Sequence, residues 1–429
     1  MNLLVNTRYK RWAALISVFL AGQGSVQILN LISGFLLLRW LSVEAYAQYS
    51  VAFGFQSTIG ILVELGFAGS IVALVGDRGS DKQIVGTYVR SAKHFRHRLF
   101  AVIIPIATIT FPLVISKHNW DWKIQLLLFG SIISSVFFQG WVSYYSAPLL
   151  INQRLKQFYQ SQLVSAISRI VLCFTLYLGS LLTSWTTTWV NSALVAVNGL
   201  LYGKAAKPLI TEPSSSDPKY NREMVRYLSP LIPGIIFAAF QGQISLFIIT
   251  LFGQTKNIAE VAALGRLGQL FFILAAFNSV VIEPYFAKLP RQYLVQRYLQ
   301  AVAAATVIAV CVWAIAFLFP DPLLWILGNK YQNLRVEIGW IVASACIGYV
   351  DGVIWTINSS RKWLYWWGTV AYVIGLLITQ IICVLVMDLS TTLNVIYFSL
   401  ITTLVVMVVH IATAIYGLIY GPRIERTTS

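Results

Sequence analysis

Long apolar runs recur along the whole chain, and basic residues gather in every second gap between them. No other feature restricts the fold as strongly. A run of about 20 apolar residues matches the hydrocarbon thickness as a helix, and in lipid only helices and closed barrels satisfy every backbone polar group. Twelve candidate spans are read: 12–38, 45–75, 99–115, 124–149, 160–182 and 190–202, then 227–252, 258–287, 300–319, 337–357, 364–387 and 393–420. Only 11% of the 429 residues are charged and 58% are hydrophobic, which excludes an ordinary soluble enzyme, a disordered chain and a disulfide scaffold. The expected class is an all-α integral membrane protein with twelve transmembrane helices in two pseudo-symmetric six-helix lobes around a central cavity.

The net charge of +16 would suggest nucleic acid in a soluble protein, but here the basic residues follow topology. Of 31 Lys and Arg, 23 fall in segments assigned to the inner side and six (Arg39, Lys117, Lys123, Lys256, Lys330, Arg335) in outer ones. Arg169 and Arg266 lie within spans. This bias predicts cytoplasmic N- and C-termini. The first run is too long for a cleavable signal. Trp12, Trp40, Trp120, Trp122, Trp185, Trp189, Trp363, Trp366 and Trp367 mark span ends as an interfacial belt. Cys173, Cys311, Cys346 and Cys383 sit in apolar stretches without metal-ligand spacing and read as packing residues.

The polar stretch 205–226, containing Glu212-Pro213-Ser214-Ser215-Ser216-Asp217-Pro218, reads as a cytoplasmic linker. It separates an N-terminal lobe (1–204) from a C-terminal lobe (227–420), with 421–429 as a cytoplasmic tail. A faint repeat places Gln27 on Gln243, Glu44 on Glu260 and Ala47 on Ala263. An even number of spans per half makes such repeats parallel.

Several residues carry a family resemblance. Residues 35–49 form an apolar helix end with Arg39, followed by Glu44-Ala45-Tyr46. Glu64-Leu65-Gly66-Phe67-Ala68 forms a second step. Leu228-Ser229-Pro230-Leu231-Ile232-Pro233, then 259–267 with Arg266, then Glu283-Pro284, open the second half. This pattern resembles lipid-linked oligosaccharide flippases of the multidrug/oligosaccharidyl-lipid/polysaccharide exporter superfamily. Ala47 stands where the family usually has Gly, and the Tyr expected before Arg266 is missing. The resemblance implies a monomeric, non-enzymatic flippase in the bacterial inner membrane. It would move an undecaprenyl-diphosphate-linked oligosaccharide by alternating access for O-antigen, lipopolysaccharide or exopolysaccharide biosynthesis, beside other polysaccharide-assembly membrane proteins.

An anionic diphosphate crossing hydrocarbon needs a cationic, hydrated chamber, and ionisable groups within spans are the first candidates. Arg169 could hold the diphosphate bidentately. Its bland alternative is an ion pair with Glu64. Arg266 could hold the head group from the outer side, or snorkel to the interface. Arg39 completes the set, with interfacial anchoring as its alternative. Gln23, Gln27 and Asn30 share one face of the first helix, and Gln241 and Gln243 lie on the seventh. They could line a sugar cavity or join helices. Glu64 and Asp351 are candidates for coupling to Na⁺ or H⁺. Glu283 reads as a boundary residue and His410 as a packed, hydrogen-bonded side chain. Pro230 and Pro233 predict a kink that could serve as a hinge. The inner loop 90–98, with Arg90, Lys93, His94, Arg96, His97 and Arg98, reads as an anchor to anionic lipid.

No Walker A, HExxH or GxSxG motif occurs, and no soluble cofactor, metal or nucleic-acid partner is expected. An ion-coupled multidrug or small-molecule antiporter of the same superfamily is the alternative function. A glycan polymerase or ligase lacks a large enough outer loop, and an ion channel lacks a filter-like segment.

Overall fold

In the computed structural model the chain is all-helical. The structure describes residues 2–271, 278 and 282–420, with side chains from Ala21 onward except that of Asp77. The tail 421–429 and part of span 258–287 lie outside the described residues. Eight helices are long and apolar enough to cross a membrane, or up to ten if each of two bent pairs forms one span. The remaining expected spans are 190–202, in a helix rich in Thr, Ser and Asn, and the partly undescribed 258–287. The protein is a multi-pass membrane protein.

Residues 1–251 form one compact unit and 252–429 a second. The division falls after the seventh predicted span begins, not within 205–226. Residues 227–251 therefore pack with the first unit, whereas the sequence reading grouped them with the second.

In the first unit, α1 (Asn2–Trp40) packs on α6 (Leu155–Leu178), and α5 (Trp122–Ile151) lies along α7 (Ser184–Ala206). α2 (Val43–Glu64) and α3 (Phe67–Val75) meet at a 43° bend. The break falls at Leu65 and Gly66, both with positive φ (42° and 79°). Leu rarely adopts such a backbone, so the turn depends on surrounding packing. α4 (Lys82–Ile115) starts on Asp81, whose side chain accepts the amides of Gln83 and Ile84. This cap carries the helix through 90–98. That basic run is thus helical, correcting its reading as a loop.

The end of the predicted linker forms α8 (Pro218–Leu228), and the predicted seventh span is broken into α9 (Ile232–Gln241) and α10 (Ile244–Phe252). α8 and α9 meet at 61°. Pro230 sits in that break and Pro233 in the first turn of α9, where the missing amide of proline does least harm. The linker is not a free tether. Met224 and Leu228 are buried against Phe67, Ile71, Val85, Tyr88 and Val89.

In the second unit, α11 (Thr255–Gly268) and α12 (Glu283–Lys288) precede α13 (Arg291–Leu318). A short α14 (Asp321–Leu327) leads to α15 (Arg335–Ser360), α16 (Trp366–Val386) and α17 (Thr392–Tyr420). The internal packing mirrors that of the first unit: α15 lies on α17 as α5 lies on α7, and α16 packs on α17 as α6 does on α7. The two units also share a tie. The Ser184 hydroxyl donates to Gln48 (2.5 Å), and the Thr392 hydroxyl donates to buried Glu260 (2.6 Å). Each tie joins a long helix to the start of its unit's last long helix. Gln48 and Glu260 thus hold similar places in their units.

Two basic residues counted as topological charges are interior. Arg96 is 3% exposed and Arg361 is 6% exposed. Arg361 donates to the carbonyls of Phe286 and Leu289, closing the end of α12. The four cysteines are free thiols, three buried and Cys311 exposed.

The α5–α7 contact needs a small residue at 199, because a Cβ there would lie 2.7 Å from the Trp141 side chain. Gly199→Val should lower stability by about 1–3 kcal/mol through overpacking. Thermal denaturation in detergent checks this, with Gly24→Ala as the control, since a Cβ at 24 meets nothing within 4 Å.

Candidate functional site

A cavity of about 470 Å³ opens inside the first unit. α2 supplies Phe53, Gln56, Ser57, Gly60, Ile61 and Glu64, a spacing that places all six on one helical face. α5 adds Val136 and Gln139, and α9 adds Ile235. Glu64 is the one charged residue among this lining.

Glu64 is the last residue of α2, where a helix end disfavours a carboxylate. Two neighbours offset this. The Ser143 hydroxyl donates to Glu64 Oε2 (2.7 Å), and Arg96 Nη1 lies 3.8 Å from the same oxygen. Arg96 Nη2 donates to the Val136 carbonyl, and the guanidinium lies 5.9 Å from the Tyr144 ring centre. Arg96 Nη1 is buried and makes no hydrogen bond. Gly140 makes room for this side chain, since a Cβ there would fall 2.5 Å from Arg96 Nε. Glu64 remains 28% exposed while Arg96 is enclosed. The cavity thus sees a carboxylate with its counter-ion set behind it.

Arg169 is not the partner of Glu64. It donates to Asn30 and, at 3.4 Å, to Asn191. Asn191 in turn donates to Gln56 on the cavity wall (3.4 Å). Two further polar side chains of α6 also join helices. Gln162 donates to the Tyr202 hydroxyl (2.8 Å) and Ser165 to the Leu194 carbonyl (3.5 Å). On α1, Asn30 and Gln27 are exposed and Gln23 is half-buried. Gln241 ends α9, and Gln243 lies in the break before α10, beside Gly54 of α2. Arg39 is exposed in the last turn of α1.

In the second unit, Asp351 on α15 accepts from or donates to His410 Nδ1 on α17 at 2.7 Å, with both side chains largely buried. The imidazole lies between the rings of Trp355 (4.9 Å) and Tyr372 (6.1 Å, stacked). Asn358 donates to the His410 carbonyl (2.9 Å). Arg266 lies near the end of α11 and donates to Gln269 (3.4 Å). Glu283 is exposed at the start of α12. No group of three metal-ligating side chains occurs among the described residues.

The chain path can be set beside solved structures. It overlays an inward-facing multidrug resistance MATE family transporter of the MOP superfamily with a TM-score of 0.65 at 14% identity, over 94% of this chain and 96% of that one. The lipid II flippase MurJ in an inward closed conformation gives 0.58 at 10% identity, over 92% and 87%. The eukaryotic MATE transporter AtDTX14 gives 0.56 at 14% identity, over 95% of each. This chain has the fold of the MOP-superfamily transporters. No family model and no curated protein sequence matches it.

Sequence reasoning missed Arg96, Ser143, Gln56, Gln139 and Asn191. A signal was present: Gln56, Ser57 and Glu64 recur on one face of an otherwise apolar helix. Arg96 was hidden because it lies within a dense basic run.

Removing the buried guanidinium should leave Glu64 uncompensated at a helix end. Arg96→Met is expected to destabilise the protein by about 2 kcal/mol, less than a fully buried pair because Glu64 is partly hydrated. Adding Glu64→Gln should restore most of the loss. Melting of the single and double variants in detergent reads the coupling directly.

Proposed function

We propose that this chain is an ion-coupled antiporter of small organic solutes that works by alternating access. The observation carrying this reading is the cavity of the first unit, with apolar walls, a few amide and hydroxyl groups, and Glu64 as the one charged lining residue. A volume of about 470 Å³ lies within the range of small-molecule sites. Such a site accepts a solute with an apolar body and a positive or hydrogen-bond-donating head. The likeness to multidrug resistance MATE transporters, solved inward-facing and outward-facing, supports the same class. Glu64 is the solute contact. Asp351, hydrogen-bonded to His410, is the coupling group, exchanging a proton or Na⁺ in the second unit. Pro230 and Pro233 provide the bend on which the seventh span turns. The bias of basic residues supports an orientation with both termini cytoplasmic.

A second reading, a lipid-linked oligosaccharide flippase, is favoured by Arg169. Its guanidinium joins α1 and α6 beside exposed Asn30, and Asn191 links it to Gln56 of the cavity. Phosphate could compete for those amides. The fold likeness to the lipid II flippase MurJ supports it as well. Arg39 and Arg266 would then assist from the ends of their helices, with Gln23, Gln27, Gln241 and Gln243 meeting sugar hydroxyls.

Proteoliposomes carrying a pH or Na⁺ gradient separate the readings. Under the first, the protein moves ethidium against the gradient. Glu64→Gln reduces uptake by about tenfold or more, the worth of one charged contact. Asp351→Asn removes the dependence on the gradient, while Arg169→Ala has little effect. Failure of the wild type to move any organic cation, with loss of surface glycan in an Arg169→Ala host, establishes the flippase instead.

A further inference from the structure

The polar stretch between α7 and α8 lies across α4, and its Glu212 carboxylate is held in a preformed cationic seat. Lys93 Nζ reaches both oxygens of Glu212, at 2.8 and 2.7 Å, and donates to the Tyr145 hydroxyl at 2.9 Å. The same ammonium lies 4.6 Å from the Tyr145 ring centre and 5.7 Å from that of Tyr144. Lys93 is only 15% exposed and Glu212 only 25%. An ammonium held among two aromatic rings and a hydroxyl is a built anion site, because the rings orient the charge but leave its desolvation to be offset by an anion. Here the anion comes from the chain itself.

The strap carrying Glu212 is gripped lightly between firm ends. Before it, Tyr202 and Ala206 are buried; after it, Met224 and Leu228 are buried, and Glu223 accepts from the Tyr88 hydroxyl at 2.8 Å. Between Leu209 and Pro218 the chain has no helix or strand. Its ties to α4 are the Lys93–Glu212 pair, the Thr211 amide to the Lys82 carbonyl (2.9 Å) and Arg90 to the Ser214 carbonyl (2.7 Å). Gly86 seats the strap, since a Cβ there would overlap the Thr211 carbonyl. Ile210 at the strap's start packs against the apolar cluster of α3 and α4, so the part that can lift without disturbing that packing is 211–217.

The surroundings identify the competing anion. Arg90, His94, His97 and Arg98 share the helix with Lys93, just before the apolar run 99–115 begins. Basic side chains at that boundary concentrate anionic headgroups. We propose that Lys93 and Tyr145 form a phosphate-binding seat, that Glu212 plugs it, and that an acidic phospholipid headgroup displaces the plug and releases the strap.

Hydrogen exchange of the 211–217 segment tests this on the full chain in vesicles. In phosphatidylcholine the Thr211 amide should be protected. Adding phosphatidylglycerol should speed exchange roughly tenfold, as expected for loss of one charge-assisted contact. Glu212→Gln should exchange fast in both lipids. Lys93→Gln should also exchange fast, without responding to phosphatidylglycerol, and Lys93→Arg should restore the response. Gly86→Leu, which lifts the strap sterically, should match Glu212→Gln with all charges intact. Inorganic phosphate at the same total concentration distinguishes the source: no acceleration assigns the seat to lipid, and equal acceleration assigns it to phosphate in general. Exchange insensitive to phosphatidylglycerol, or an equal response in Lys93→Gln, overturns the proposal.

Discussion

Within hydrocarbon a peptide group without a partner costs several kcal/mol, and this penalty governs the whole molecule. It makes helix obligatory for nearly every residue, so the fold is decided by how helices are broken, not by whether they form. The breaks fall where a partner is supplied locally. Leu65 and Gly66 turn left-handed between α2 and α3, with the Leu65 amide still bonded to the Ile61 carbonyl. Pro230 and Pro233 fall where amides would be unpaired in any case. The cavity lies beside both breaks, lined by α2, by Gly66 and by Ile235 of α9.

The same penalty sorts the polar side chains. Hydroxyls mostly return to the preceding turn of their own helix, as Thr87, Thr108, Thr175 and Thr306 do. Others tie helices together, as in Ser184 to Gln48 and Thr392 to Glu260. Charges are the most demanding, and those well inside each unit have a partner of matching character: Arg96 with Glu64, Asp351 with His410, Arg361 with two carbonyls. What distinguishes Glu64 is asymmetry. Its counter-ion is enclosed while the carboxylate faces open space.

Basic residues do two jobs that look identical in a sequence. Most mark topology, but the run on α4 also builds structure. Arg96 turns inward to Glu64, Lys93 turns to the strap, and Arg90 reaches the Ser214 carbonyl. Arg90, Lys93 and Arg96 recur every third residue and so form one stripe that faces protein, while His97 and Arg98 fall on the exposed side of the same run. This division makes the linker part of the first unit and shifts the boundary between units to the end of the seventh span.

Hydropathy alone determined that this chain is a bundle of membrane helices, because the cost of exposed backbone in lipid leaves a single solution for each apolar run. Partner choice belonged to tertiary structure. Glu64 takes Arg96 on α4 and not Arg169 on α6, because Gly140 leaves space for a guanidinium behind α2 while Asn30 and Asn191 satisfy Arg169. Likewise a string of Ser and Pro that reads as a loose tether becomes a seated strap once Gly86 and Lys93 face it. Periodicity fixes which face of a helix is polar, but only the packing of neighbours decides what that face meets.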